Sequence, residues 1–291
     1  MEVEELRNFI AVAQEENITR AAEYLHLTQP TLSRQMQSLE QEFGKQLLIR
    51  GKRRVTLTED GILLRKRAAE ILALVEKTDA EMRESRKEIS GDVFIGAGET
   101  DVMRLVAKTA LELNKQHPGV RYRIISGDGG AVKELLNKGL IDFGLVFGPE
   151  DERKYDVIPL GIEDQWGVLM SKDSPLAEKQ SISPKDLWDK PLILSQQAMD
   201  GGFLQTWLKK DAADLHVAAT YTLILNAGKM VEGGLGYAMV IDGLVNTKGS
   251  GIVFRPCTPS LRAGISILSK KYRVFSPAAQ AFRKLLINNF K

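Results

Sequence analysis

The chain has 291 residues, which is enough for about two domains. Its hydrophobic fraction of 43% and charged fraction of 27% are typical of a soluble protein with packed cores. The net charge is only +2, so the overall charge does not by itself indicate a nucleic-acid partner.

Cysteine content and hydropathy exclude further classes of protein. Because Cys257 is the single cysteine, an intrachain disulfide is excluded. The opening segment MEVEELRNFI is acidic and has no long apolar run, so we expect no signal peptide. No segment approaches the roughly 18 uncharged apolar residues of a membrane helix. We therefore expect a cytoplasmic protein with no membrane partner.

The first sixty residues have the pattern of a helix-turn-helix. A helix is predicted over residues 5–15, and a second, alanine-rich helix follows, with Thr19 as its expected cap. A short turn at residues 26–28 leads to LTQPTLSRQMQSLEQEFG (27–44), which predicts a third helix with one apolar face. Two short helices joined by a tight turn are typical of this motif. The apolar positions of the third helix are Leu32, Met36, Leu39 and Phe43.

A basic hairpin is predicted after this helix. Two β-prone runs, LLIR and RVTL, flank the segment GKR. Residues 45–67 carry a net charge of +6, whereas residues 1–44 carry −5. A basic wing therefore follows the polar face of the third helix, and basic clusters of this kind favour DNA.

A long helix is predicted from Thr58 to about Glu88. Its apolar residues recur at alternating spacings of four and three, with Thr78 in the place of one of them, and charged residues flank them. The repeat is shorter than a firm coiled coil requires, but it favours pairing with a second copy of the chain. The predicted dimerisation residues are Leu64, Ala68, Ile71, Val75 and Met82.

From residue 92 strands and helices alternate. The pattern βαβαβ covers residues 92–148 and predicts a parallel sheet with helices on its faces. Further strands are expected at WGVLM, PLILS, GYAMV, GIVFR and AGISILS, and further helices near residues 202–210, 222–232 and 277–289.

The motifs of this chain strongly resemble those of LysR-type transcriptional regulators. The segment AAEYLHLTQPTLSRQMQSLE and the closing VTLTEDG match the family's N-terminal domain over about sixty positions, and IDFGLVFG and VEGGLGYAMV resemble its effector domain. The resemblance implies an α+β multidomain protein with a winged helix-turn-helix (1–58), a linker and dimerisation helix (59–90) and a two-lobed α/β effector domain of periplasmic-binding-protein type (91–291). Lobe I would cover about 91–161 and 267–291, and lobe II about 162–266.

The family implies a homodimer or homotetramer that binds double-stranded DNA of dyad symmetry and a small-molecule effector. RNA polymerase is a candidate partner.

The third helix would place its N-terminal end in the major groove. Gln29 and Gln37 can pair with adenine, Arg34 can reach guanine or phosphate, and Ser33 can do either. Family members contact DNA at the positions that match Gln29, Pro30, Ser33 and Arg34. The predicted residues on this helix are Thr28, Gln29, Pro30, Thr31, Ser33, Arg34 and Gln37.

The wing would supply contacts to the minor groove and to phosphates. The resemblance places Arg53 in the minor groove, where a narrow A·T tract attracts arginine. Lys52 and Arg54 would hold phosphates, a contribution that salt weakens. The predicted wing residues are Arg50, Lys52, Arg53 and Arg54.

A ligand site is expected where strands of the second domain end, since ligands of open α/β sheets bind there. The strand ends are GAGETD (96–101), SGDGG (126–130), FGP (147–149) and PLILSQQAMD (191–200), and Tyr221, Thr222 and Asn226 would begin a helix that faces the cleft. The resemblance places Thr100, Asp128 and Ser195–Gln197 in the pocket. The predicted effector residues are Thr100, Asp101, Gly127, Asp128, Phe147, Ser195, Gln196, Gln197, Tyr221, Thr222 and Asn226.

The acids near this site raise the question of the effector's charge. Many relatives bind carboxylates with hydroxyl groups at the positions of Thr100 and Asp128. Here Asp128, Glu99 and Asp101 would repel an anion, which favours a neutral or amine-bearing effector. The alternative is that these acids only cap helix N-termini.

Other sites and functions are less well supported. GAGETD matches only part of a dinucleotide fingerprint, and the three histidines have no metal-ligand spacing, so neither a cofactor nor a metal is expected. No catalytic arrangement is evident, so we expect no enzyme. The alternatives are a solute-binding protein, an enzyme with a regulatory DNA-binding module, and a nucleoid-associated protein without an effector.

Overall fold

The structure is a computed structural model that describes residues 1–51, 54–83, 88–148 and 150–290. The chain divides into two units, Met1–Arg83 and Glu84–Lys291. The predicted wing residues Lys52 and Arg53 and the turn residue Pro149 lie outside the described residues.

The first unit contains the predicted helix-turn-helix and its wing. Its elements are α1 (Val3–Glu15), α2 (Ile18–Tyr24), α3 (Gln29–Phe43), β1 (Leu48–Arg50), β2 (Val55–Leu57) and α4 (Glu59–Arg83). The strands pair antiparallel, with Leu48 opposite Leu57. The expected cap at Thr19 is wrong, because α2 begins at Ile18. The cap is Asn17, whose side chain accepts hydrogen bonds from the backbone amides of Thr19 and Arg20.

One apolar core joins the three short helices to the wing. Phe9 of α1, Leu32 and Met36 of α3 and Leu48 of β1 are fully buried in it. Ala21 of α2 is also buried, and its small side chain lets α2 pack closely on its neighbours. This packing leaves the opposite face of α3 free of the core.

The second unit contains the remaining elements. They are β3 (Gly91–Ala97), α5 (Met103–Gln116), β4 (Val120–Ser126), α6 (Gly129–Asn137), β5 (Phe143–Phe147), β6 (Tyr155–Ser171), β7 (Leu192–Ser195), α7 (Gln196–Asp200), α8 (Phe203–Leu208), β8 (Val217–Tyr221), α9 (Ile224–Glu232), β9 (Tyr237–Ile241), β10 (Ile252–Pro256), β11 (Arg262–Lys270) and α10 (Pro277–Phe290).

These strands form one mixed sheet in the order β4-β3-β5-β11-β6-β9-β7-β8, with β10 on β6. The predicted parallel pairing is correct for β3 with β4 and β5, and β7 is likewise parallel to β8 and β9. The sheet as a whole is mixed, because β11 and β6 run antiparallel to their neighbours.

The long strand β6 divides the sheet into two lobes. Its first part pairs with β11 in a lobe that also contains β3, β4 and β5, and its second part pairs with β9 and β10 in the other lobe. Each lobe has its own core: Phe143 and Phe282 are buried in the first, and Leu169 and Leu204 in the second. The two-lobed α/β architecture predicted from the sequence is confirmed.

Candidate nucleic-acid interface and ligand cavity

The outer face of α3 is polar and exposed. Thr28 precedes the helix, and its hydroxyl oxygen accepts a hydrogen bond from the backbone N–H of Thr31, with 3.4 Å between oxygen and nitrogen. The first turn is therefore capped. Ser33 is half-buried. The predicted residues that the structure leaves exposed on or beside this helix are Thr28, Gln29, Pro30, Thr31, Arg34 and Gln37.

Arg34 is the cation at the centre of this face. Among the described residues none forms an ion pair with it. A guanidinium without a carboxylate partner can donate to a guanine edge or to a phosphate without first breaking an internal contact. The α3 face therefore has amide, hydroxyl and guanidinium donors on one side of a rigid helix.

The described wing arginines are already engaged. Arg50 lies 3.0 Å from the carboxylate of Glu40, and Arg54 lies 2.6 Å from that of Glu16. The hydrogen bond from Arg54 lowers the pKa of Glu16 below its usual value, so that carboxylate stays charged. A phosphate that binds either arginine must compete with the carboxylate of its ion pair or be bound in addition to it. The role of these two arginines in binding DNA stays a prediction.

Two residues of the predicted dimerisation seam on α4 pack against α1. Ala68 is fully buried and Leu64 is half-buried, and both pack with Leu6 and Ile10 of α1 in the same unit. This contact with α1 accounts for their apolar character, and their role in dimerisation stays a prediction. The exposed apolar side chains of α4 are Ile62, Leu63, Ile71, Leu74 and Met82.

The second unit contains a cavity of about 980 Å³ where strands from both lobes end. Seven of the predicted effector residues line it: Gly127, Asp128, Phe147, Ser195, Gln197, Tyr221 and Thr222. Asp128 caps α6 by accepting the amide of Ala131 at 2.8 Å, and Ser195 caps α7. The alternative that Asp128 caps a helix is therefore realised.

Four predicted effector residues are not part of the lining. Thr100 is buried and its hydroxyl donates to Asp164 at 2.9 Å, whereas Asp101 turns outward to Arg104. Gln196 bonds to Asp200, and Asn226 is exposed on α9. These four residues lie close in sequence to residues that line the cavity, but their own side chains do not line it.

Several lining residues were missed from the sequence, above all those contributed by the first part of β6. Because the predicted strand began only at residue 166, Ile162 and Glu163 were not considered. Pro159 and Gly161 interrupt the apolar pattern in this part of the strand, so local periodicity gave no signal for them. The missed residues with the most distinctive chemistry are Lys133, Ile162, Glu163, Trp166 and Arg262, whereas Glu99 was already named among the acids near the site.

Burial raises the pKa values of two titratable groups at or beside the cavity. Burial raises the pKa of Asp164, against the opposing hydrogen bond from Thr100 and with a smaller contribution from the nearby charge of Asp101. Tyr221 is buried, which raises its pKa, and its hydroxyl donates to the carbonyl of Met239 at 2.8 Å. It therefore packs in the wall as a structural residue as well as lining the cavity.

The lone thiol does not support a redox function. Cys257 is buried, and burial raises its pKa to about 12. The thiolate is the reactive form, so this side chain is protonated and unreactive at neutral pH. In the described part of the chain, no helix has the length and hydropathy needed to cross a membrane.

Comparison with known proteins finds two family matches. Residues 3–62 match a bacterial regulatory helix-turn-helix protein family, the lysR family, and residues 86–291 match the LysR substrate binding domain. The chain is 29% identical over 288 residues to the Hca operon transcriptional activator HcaR of Escherichia coli K12, covering 97% of this chain and 96% of that protein.

Solved structures show the same fold. The LysR family transcriptional regulator CbnR superposes with a TM-score of 0.79 over the whole of both chains at 20% identity. Full-length CbnR in complex with its target DNA gives a TM-score of 0.77 at 20% identity, covering 99% of this chain and 100% of that one.

Proposed function

Because this chain belongs to the LysR family of bacterial transcriptional regulators, we propose that it binds its operator through the exposed face of α3 and its effector in the cavity between its two lobes. The family combines a DNA-binding helix-turn-helix with a ligand-binding domain. Its members are regulators rather than enzymes, so we expect no turnover of the bound ligand. We propose that it acts in the cytoplasm, where a bacterial regulator meets chromosomal DNA.

The observation that carries the DNA-binding proposal is Arg34 on the polar face of α3, for which the described part of the chain provides no ion-pair partner. Gln29 and Gln37 lie on the same exposed face, and Thr28 caps the helix whose N-terminus would approach the groove. These donors suit base edges and phosphates, and the positive end of the helix dipole also favours phosphate.

Control by an effector requires the ligand to bind one arrangement of the lobes more tightly than another. The cavity lies where the chain crosses between lobes, at the junction of Trp166 with Leu261, whose backbones bond at 2.9 Å. A ligand there would contact both lobes at once. We propose that it changes their relative orientation, which the oligomer converts into altered spacing of its DNA-binding heads.

The proposal predicts that Arg34→Ala abolishes specific DNA binding. Loss of one base-contacting arginine costs about 1–3 kcal/mol per site, and a dimer loses the contact twice. The operator is first selected from random duplexes by the wild-type protein, and affinities are then measured by fluorescence anisotropy against competitor DNA. Arg7→Ala is the matched control, since Arg7 is an exposed arginine on α1 that pairs with Glu76.

Full affinity of Arg34→Ala, with an unchanged circular dichroism spectrum, would rule out α3 as the reading helix. Failure of the wild-type protein to enrich any sequence would instead favour binding without specificity, as in a nucleoid protein.

A further inference from the structure

A hydrogen bond crosses the cavity between the two lobes. Glu99 follows β3 in the first lobe, and its carboxylate accepts the backbone N–H of Ile224, the first residue of α9 in the second lobe. Both residues line the cavity. The bond therefore forms only while the lobes lie as they do in this structure.

Helix α9 depends on this bond because its own sequence provides no cap. The first amides of a helix lack partners within the helix and are usually satisfied by the side chain that precedes it. Asp128 and Ser195 do this for α6 and α7, but α9 is preceded by Leu223, whose side chain has no acceptor. The positive end of a helix dipole favours an anion, and Glu99 places its carboxylate there.

The charged side chains that line the cavity, Glu99 included, carry a surplus of negative charge. Besides Glu99, the carboxylates of Asp128 and Glu163 line the cavity, against the cations Lys133 and Arg262. Lys133 lies 2.9 Å from Glu150, a buried carboxylate, and is neutralised by it. A carboxylate ligand would find the α9 N-terminus occupied and would be repelled by the remaining acids.

On the basis of the proposed function, we infer that Glu99 acts as a built-in anion that caps the N-terminus of α9. Its carboxylate thereby makes the cavity selective for an amine-bearing effector with an apolar body. Apolar lining is supplied by Phe147, Phe203 and Ile162. The ammonium group would pair electrostatically with carboxylates that line the cavity, which are those of Glu99, Asp128 and Glu163.

The first test is chemical rescue of the cap in the full-length protein. Glu99→Ala lowers the melting temperature, and sodium acetate restores part of the loss relative to sodium chloride at equal ionic strength, because acetate occupies the vacated position. The wild-type protein and Glu99→Gln do not respond differentially, since their side chains still fill it. Asp101→Ala, which removes a neighbouring carboxylate that turns outward to Arg104, is the matched control. Equal responses of all four proteins to acetate, or no acetate effect on Glu99→Ala, overturn the inference.

The second test measures ligand charge by calorimetry with 3-phenylpropylamine and 3-phenylpropionate. The wild-type protein binds the amine more tightly, and Glu99→Ala shifts the ratio of the two affinities towards the carboxylate by roughly tenfold or more, the equivalent of one charge-assisted hydrogen bond. Tighter binding of the carboxylate by the wild-type protein, or binding of neither probe, overturns the inference.

Thr222→Trp separates this inference from the proposed function. Thr222 is exposed in the lining, and tryptophan there would fill the cavity, whereas Asn226→Trp lies outside the lining on the same helix. If the carboxylate binds more tightly and only Thr222→Trp prevents it, the cavity remains the effector site and the charge inference alone fails. If neither tryptophan changes binding of either probe, the cavity is not the effector site.

Discussion

Asp164 is a carboxyl group buried in β6 beside the cavity, and its described hydrogen-bond partner is the neutral hydroxyl of Thr100. Burial disfavours the charged form, so its pKa is raised above the usual value. A carboxyl with a raised pKa binds more protons in the folded protein than in the unfolded chain. Its ionisation therefore lowers stability as pH rises from the unfolded pKa through the folded one.

Asp164→Asn should accordingly raise the melting temperature at pH 7, because asparagine keeps an acceptor for the Thr100 hydroxyl without a buried charge. The advantage should shrink as pH falls towards the unfolded pKa of an aspartate, about 3.9. Calorimetric melting of both proteins between pH 4 and pH 8 measures it. A difference in melting temperature that stays constant with pH would contradict this account of Asp164.

The same loop shows why some site residues could not be predicted from the sequence. The strand end at GAGETD correctly predicted that the chain there reaches the cavity. Which side chain faces it depends on local backbone geometry: the Thr100 hydroxyl accepts the amide of Val102 and turns inward, while Glu99 crosses to α9. A partner 125 positions away in sequence has no local signal.

Among the elements, the junction of α3 with the wing depends on one carboxylate. The carboxylate of Glu40 accepts hydrogen bonds from the backbone amides of Leu47 and Leu48, at 2.9 and 3.0 Å. It also accepts a hydrogen bond from the guanidinium of Arg50. Hydrogen bonds to a charged group contribute about 1.5–3 kcal/mol each. Glu40 therefore fixes the start of β1 relative to the helix that is proposed to read DNA.

Glu40→Ala should speed hydrogen exchange at the amides of Leu47 and Leu48 by at least roughly tenfold, the factor that corresponds to about 1.4 kcal/mol. Glu42→Ala is the control, because Glu42 is an exposed acid of α3 that pairs with the amino group of Met1. Exchange is read residue by residue, which avoids assuming that a two-unit chain unfolds in one step. Unchanged protection in Glu40→Ala would show that the apolar core alone positions the wing.

Element prediction succeeded where a periodic pattern was local and strong. The apolar face of α3 was identified correctly at Leu32, Met36 and Leu39, but Phe43 is 40% exposed, so its expected burial is wrong. The run VRYRIIS was identified as a strand with the same bounds as β4. The first part of β6 was missed because Pro159 and Gly161 interrupt its pattern, and β8 was missed because its interior residues are only partly buried. Both strands are held by pairing with distant neighbours, which local periodicity does not reveal.

At the scale of the whole molecule, α4 retains apolar side chains that its own unit does not cover. Leu63 and Leu74 lie three helical turns apart on one side, and Ile71 lies one turn before Leu74. Their exposed fractions are 54%, 43% and 37% for Leu63, Leu74 and Ile71. The buried residues Ala68 and Leu72 occupy another face. We therefore expect an oligomer to pair along this exposed side, which includes Ile71 of the predicted seam but not Ala68.

The double substitution Ile71→Asp/Leu74→Asp should lower the mass measured by sedimentation equilibrium, because two charges would be buried in the pairing surface. Loss of the twin subunit also removes bivalent binding, so affinity for an operator with two half-sites should fall on the order of 10²–10⁴-fold. Affinity for a single half-site should change little. Val274→Asp is the control, since Val274 is 92% exposed in the second unit. An unchanged mass in the double variant, with half-site and full-site affinities unaltered, would exclude this face of α4 from dimerisation.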